Sequence, residues 1–200
     1  ASIVHPEMKT VIPLMPEAII RQDGAEKNDC EQNASKRLYQ HVKRDHPKLK
    51  FLVVQDGLGC NGPNIRALKS VNFRFVIGAK PGDNKNLFVE VAKAKANGKT
   101  TEFEVVEGRT THRFHFMNQV PLNESNKDLL VNFLEYWESV DGEEKRHFTW
   151  VTDIKITDKN AYSLMRAGRA RWKIENETFN TLKNQGYHFE HNFEIGRAHV

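Results

Sequence analysis

Residues 51–57 read Phe51-Leu52-Val53-Val54-Gln55-Asp56-Gly57. Four consecutive apolar side chains leave no polar face, the pattern of a short strand buried on both faces of a sheet. The Asp-Gly pair at its C-terminal end marks the turn out of that strand. Upstream, Asn28 or Asp29 is placed to cap a helix running to about Asp45. Its apolar face is Cys30, Ala34, Leu38 and Val42, four residues apart, and Pro47 stops it. Downstream, Pro63 opens a second helix carrying Ile65 and Leu68. Phe73-Arg74-Phe75-Val76-Ile77-Gly78 reads as the next strand. Short strands alternating with helices argue for an α/β layer fold.

The flanking sequence divides into blocks. Ser2 to Val4 and Thr10 to Leu14 read as two short strands around a turn at His5-Pro6, and Pro13 and Pro16 place the second at an edge. Gln22 to Lys27, with Gly24, reads as loop. After Pro81-Gly82-Asp83 the texture changes. Thr101 to Val106 and Arg109 to Val120 alternate around Gly108, and Leu129 to Trp137 and His147 to Ile156 flank Asp141-Gly142. Residues 85–155 therefore read as an antiparallel β-rich insertion. From Asp158, an N-cap residue, the period becomes helical to Asn184, with Gly186 as the stop. The expected organisation is a first core part at 1–84, the insertion at 85–155 and the rest of the core at 156–193. Residues 194–200, Glu194 to Val200, match one reading frame of a common sequencing-adapter oligonucleotide and read as a non-native tail. Ala1 leads straight into strand-like sequence, which reads as an N-terminal truncation.

Composition narrows the class. The chain has 200 residues, the length of one domain or one domain carrying an insertion. Charged residues make up 28%, with both signs interspersed, which excludes a disordered single-sign chain. Thirty basic against 26 acidic residues give +4, a balance that permits a polyanionic partner. No apolar run approaches the roughly 18 residues of a membrane span. Two cysteines, Cys30 and Cys60, exclude a disulfide scaffold and suit a reducing cytosol.

The last helix carries an anomaly. Positions 161, 165, 168, 172, 175, 179 and 182 form one stripe: Ala161, Met165, Gly168, Trp172, Glu175, Phe179 and Leu182. Six are apolar or small and one is a carboxylate, and a buried carboxylate needs a cation or a proton. Arg171, four residues before Glu175, can pair with it, so a partly buried ion pair is one explanation. Asp56 adds another. Ligands of open α/β sheets bind outside the carboxyl ends of strands. An Asp there and a Glu on a core-facing helix are what a hard divalent cation takes, since Mg²⁺ uses one or two carboxylates plus water and phosphate oxygens. As a plain turn residue before Gly57, Asp56 has a simpler role.

Two blocks, Val53-Val54-Gln55-Asp56-Gly57-Leu58 and Arg171-Trp172-Lys173-Ile174-Glu175-Asn176, with Phe179 and Leu182-Lys183 following, resemble insertion-sequence transposases of the Asp-Asp-Glu type. The resemblance covers roughly residues 1–193. It implies an RNase H-like core with a β-rich insertion between the second Asp and the Glu, here 119 residues apart. It makes Asp56 and Glu175 catalytic, and both of them metal ligands, with two Mg²⁺ (or Mn²⁺) ions in the intact enzyme. It makes Arg171 a DNA contact, and Lys183 another, one position later than the family's usual spacing. Gly168 stands where the family has an aromatic residue. The first catalytic Asp is expected upstream of Ser2, so this fragment alone is expected to cut DNA poorly. The implied chemistry is hydrolysis at a transposon end followed by attack of the freed 3′-hydroxyl on target DNA. The implied partners are double-stranded DNA and a second copy of the chain in the synaptic complex. The implied setting is the bacterial cytoplasm, at the nucleoid. Arg166, Arg169, Arg171 and Lys173 add positive charge near one helix end, suited to phosphates or simply to a solvated face. The alternatives are a catalytically dead DNA-binding remnant, an RNase H-like nuclease, and a structural protein in which Arg171 and Glu175 form only a salt bridge.

Three weaker features remain. His112 and His115, and His188 and His191, share an i, i+3 spacing that would need further ligands to hold zinc. Gly78-Ala79-Lys80-Pro81-Gly82 follows a strand but lacks the phosphate-loop pattern and reads as a turn.

Overall fold

The computed structural model describes residues 1–19, 30–179 and 183–184. Strands β1 (Ser2–Val4) and β2 (Val11–Pro13) form a separate antiparallel hairpin. Helix α1 (Glu31–Asp45), strand β3 (Leu52–Gln55), helix α2 (Gly62–Ser70) and strand β4 (Arg74–Gly78) follow. Helix α3 (Lys85–Ala96) leads into β5 (Thr101–Glu107), β6 (Thr110–Pro121), β7 (Leu130–Val140) and β8 (Glu143–Thr152). Helix α4 (Ala161–Arg169) comes last, and a π-helical segment, Ile174–Phe179, follows it. Strands β3 to β8 make one mixed sheet in the order β3-β4-β8-β7-β6-β5. Only β3 and β4 are parallel; every other pair is antiparallel.

Strand alternation builds two cores on this sheet. Phe75 and Ile77 of β4, Phe133 of β7 and Val151 of β8 face α1, α2 and α3, where Tyr39, Ile65, Leu68 and Leu87 meet them. Their neighbours Val76, Leu134 and Trp150 face the other way, onto Ala161, Leu164 and Met165 of α4. The period of two thus yields three layers: helices, sheet, helix. Each large apolar side chain fully buried here contributes about 1.5–3 kcal/mol of transfer free energy. Helix α4 sits on Trp150 through Gly168: a Cβ on this glycine would lie 2.6 Å from the indole. Asp141 and Gly142, at φ of 52° and 82°, close the β7–β8 hairpin as a left-handed pair.

Four expectations change. The apolar run at 51–54 is the edge strand β3, and Leu52 is exposed; with a neighbour on one side only, it escapes full cover. The stretch 85–155 opens with α3, not a strand, and its strands continue the sheet of β3 and β4. Leu87, Val91 and Ala94, spaced by four and three, give α3 its buried face. The last helix starts after Asn160, whose side chain makes no cap hydrogen bond, and Asp158 accepts the Lys159 N–H instead of capping the helix. It stops at Arg169, so the seven-position stripe ends with Gly168 and Trp172 is exposed. A turn at Ala170–Arg171 breaks the helical phase that the stripe needed.

Asn28, Asp29, Leu182, Gly186, His188, His191, the loop at 22–27 and the tail at 194–200 lie outside the described residues. Among the described residues, no helix is long and apolar enough to cross a membrane.

Candidate functional site

Asp56 stands where β3 ends, at the carboxyl end of the one parallel strand pair. It caps a 3₁₀ turn, Gly57–Gly59, by accepting the Leu58 N–H at 3.1 Å. The side chain is exposed and pairs with no cation among the described residues. Behind it lies a closed ring of three side chains. The Gln55 amide donates to the Tyr39 hydroxyl (2.8 Å), which donates to Asn64 Oδ1 (2.9 Å). The Asn64 amide returns to Gln55 Oε1 (2.8 Å) and also reaches the Gly59 carbonyl (2.8 Å). The ring satisfies a buried phenol and amide and fixes the wall beside Asp56. Burial pushes the Tyr39 phenol above its usual range, against its hydrogen bonds with Gln55, Ser35 and Asn64.

A shallow hollow, open to solvent, forms in front of this wall. Asp56, Gln55, Asn64, Ser35 and Glu31 line it. Glu31, in the first turn of α1, brings a second carboxylate to the hollow. Sequence reading missed it, because nothing local ties a helix-start Glu to a strand end 25 residues on. An Asp carboxylate is a hard oxygen donor of the kind Mg²⁺ takes, and only the Leu58 N–H bonds to this one. Among the described residues, no three His, Cys, Asp or Glu side chains converge as a ready-made metal cluster.

Glu175 is placed differently. It lies on the π-helical segment, half exposed, and its Oε1 accepts from Arg171 at 2.6 Å. Arg171 also lies over the Trp172 ring, 4.8 Å from its centre. Glu175 is not among the residues lining the Asp56 hollow. The neighbouring cations are also engaged. Lys173 Nζ donates to the carbonyls of His5 (2.7 Å), Pro6 (3.0 Å) and Met8, and Arg166 pairs with Glu7 at 2.9 Å. These two residues pin the β1–β2 hairpin to the α4 end. Arg169 reaches Glu138 of β7 at 2.8 Å. Lys183 is helical and exposed.

Glu138 is the hub of a buried polar cluster. It accepts from Arg169, from Arg146 (2.5 Å) and from the Tyr136 hydroxyl (3.0 Å). Burial raises its carboxyl, but Tyr136, Arg169 and Arg146 outweigh that and hold it below the usual carboxylate range. The Tyr136 phenol is pushed well up, first by burial and then by Glu138. Tyr136 also bonds His112 Nδ1 at 2.7 Å. His115 instead bonds Glu135 (3.0 Å), which bonds His147 as well (2.9 Å). On β6 an i, i+3 spacing sends the two histidines to opposite sheet faces, so His112 and His115 cannot share a metal ion. Burial pushes the Cys60 thiol up to about 12, which leaves it an unreactive core residue.

No protein-family model matches the chain, and no curated protein matches it either.

Proposed function

We propose that the chain is the catalytic portion of a metal-dependent DNA transposase of the Asp-Asp-Glu type. The observation that carries the reading is Asp56: an exposed carboxylate without a counter-ion among the described residues, at the carboxyl end of the parallel pair, where open α/β sheets bind ligands. The motif resemblance around Asp56 and Glu175 supplies the reaction class. The α/β architecture, with its mixed sheet between helices, is compatible with an RNase H-like core. Asp56 and Glu175 would hold the divalent cations, whose chemistry is to polarise a phosphoryl oxygen and activate the attacking hydroxyl. Glu175 sits on a π-helical segment, a rare conformation that recurs at functional sites. The net charge of +4 suits a DNA partner. The same reading carries a homodimer in the synaptic complex and a place at the bacterial nucleoid.

A second reading has one specific observation in its favour. The 2.6 Å contact with Arg171 neutralises Glu175 inside the chain, as a structural ion pair does. Under that reading the molecule is a structural protein in which Arg171 and Glu175 form only a salt bridge.

Divalent-dependent DNA binding tests the proposal. Duplex DNA affinity, followed by fluorescence anisotropy, is expected to rise with Mg²⁺ over EDTA, and the rise is expected to vanish in Asp56→Asn. Equal affinity in Mg²⁺ and EDTA for the unsubstituted chain would remove the metal from the reading.

A further inference from the structure

The four cations grouped by sequence near the last helix all bond within the chain: Arg166 to Glu7, Arg169 to Glu138, Arg171 to Glu175, and Lys173 to the hairpin carbonyls. A phosphate recruited by any of them would share that cation with its partner. Lys80 is different. It lies two residues past Gly78, just beyond the end of β4, in the stretch that reads as a plain turn. Its ammonium meets no acceptor or carboxylate among the described residues, and the side chain is exposed.

Its position relative to Asp56 is set by the parallel pair. Gln55 is level with Ile77, so Asp56 is level with Gly78. The two strand ends approach closely there: a Cβ on Gly78 would lie 3.3 Å from the Gly57 nitrogen and 3.5 Å from the Asp56 carbonyl carbon. The Lys80 stem runs along the next residue. Its Cγ, Cδ and Cε each lie 3.5 Å from where a Gly57 Cβ would stand. The long apolar stem is thus laid against the Asp56 turn, with the charged end left to solvent.

One buried asparagine holds this arrangement. Asn84 Oδ1 accepts the Lys80 N–H at 3.2 Å, and the Asn84 N–H donates to the Lys80 carbonyl at 2.9 Å. The Asn84 amide also donates to the Cys60 carbonyl at 3.2 Å, in the loop that begins at Asp56. Asn84 therefore ties the loop after β4 to the loop after β3. Asp56 and Lys80, an exposed carboxylate and an exposed ammonium with no ion-pair partner among the described residues, thus stand on adjoining loops tied by Asn84, with Lys80 outside the lining of the Asp56 hollow. A phosphodiester with a divalent cation answers both: the carboxylate takes the cation, and the ammonium takes a non-bridging oxygen.

We propose that Lys80 is a phosphate-binding residue of the Asp56 site, contacting the DNA phosphate that faces the Asp56 cation. The proposal rests on the DNA reading above. Its test is the salt dependence of duplex-DNA affinity in Mg²⁺. Removing one phosphate contact lowers the slope of log affinity against log salt by about 0.9. Lys80→Gln is expected to show that loss with an unchanged melting temperature, and Lys80→Arg to keep the original slope. If the unsubstituted chain binds DNA and Lys80→Gln keeps its slope, the role of Lys80 is overturned and the DNA reading stands. If Lys80→Arg loses the slope as well, charge is not what Lys80 supplies, and the proposal again falls. If the unsubstituted chain shows no salt-sensitive DNA binding, the DNA reading and the Lys80 proposal fall together.

Discussion

Asp56 leaves the end of β3 with one hydrogen bond, from the Leu58 N–H, and no counter-ion among the described residues. Glu175, beyond the end of α4, has an oxygen taken by Arg171, on a segment whose other cations grip the hairpin and β7. The first region is open in its charges and closed in its backbone: the ring of Tyr39, Gln55 and Asn64 and the Asn84 tie hold it. The second is closed in both. A fold can neutralise a carboxylate with its own cations, or hold it in place with neutral hydrogen bonds and leave the charge for a ligand. Substitutions in the second region should therefore read out as lost stability, and substitutions at the first as lost binding.

The largest stability effect is expected at Glu138. Glu138→Ala strands Arg169, Arg146 and the Tyr136 hydroxyl together. Breaking a buried ion pair costs about 3–5 kcal/mol, and the part-exposed arginines place this case near the lower end. Urea unfolding measures it; a cost within about 0.5 kcal/mol would mean that the cluster does not anchor α4 to the sheet. The same residue sets a pH dependence. Its carboxyl is held below its ordinary value in the fold. The stability it contributes is thus complete above the unfolded value of about 4.3 and is lost as pH falls through the folded value. Glu138→Gln should flatten that acid limb in part, since Glu135 is also held low, His115 and His147 outweighing its burial.

Next comes Gly168→Ala, whose added methyl would lie 2.6 Å from Trp150. Overpacking of this kind costs about 1–3 kcal/mol, more than the helix-propensity gain of up to about 1 kcal/mol. Thermal unfolding should show a net loss; a net gain would mean that α4 shifts freely on the sheet. Smallest is Arg171→Ala. It removes one part-exposed i, i+4 pair and should cost no more than about 0.5 kcal/mol. A larger loss would show that the Arg171–Glu175 pair is a structural clamp, which favours the second reading.

What the sequence made legible follows the same division. The strand-helix-strand order over residues 51–78 was readable because apolar runs and a proline at a helix start are local signals. The β7–β8 hairpin was readable because Asp141-Gly142 is left-handed turn chemistry. Helix α3 was missed although Leu87, Val91 and Ala94 carry its period, because the β-rich texture downstream overrode a twelve-residue signal. The end of α4 was not readable. The stripe from Ala161 to Leu182 is continuous in sequence, and the turn at Ala170–Arg171 goes with Lys173 reaching hairpin carbonyls 165 to 168 residues away. At the site, Asp56 could be found from its place after an apolar strand. Glu31, Asn84 and Lys80 join it only through tertiary contacts, which leave no spacing to read.

The central claim is that Asp56, without a counter-ion among the described residues, binds a divalent cation. Mn²⁺ titration followed by electron paramagnetic resonance, on the unsubstituted chain and on Asp56→Asn, tests it most directly. The account predicts that the unsubstituted chain removes Mn²⁺ from the free signal, and that Asp56→Asn, folded and equally stable within about 0.5 kcal/mol, binds at least about tenfold more weakly, a loss of about 1.4 kcal/mol. Equal Mn²⁺ binding by the two proteins, or none by either, would contradict it.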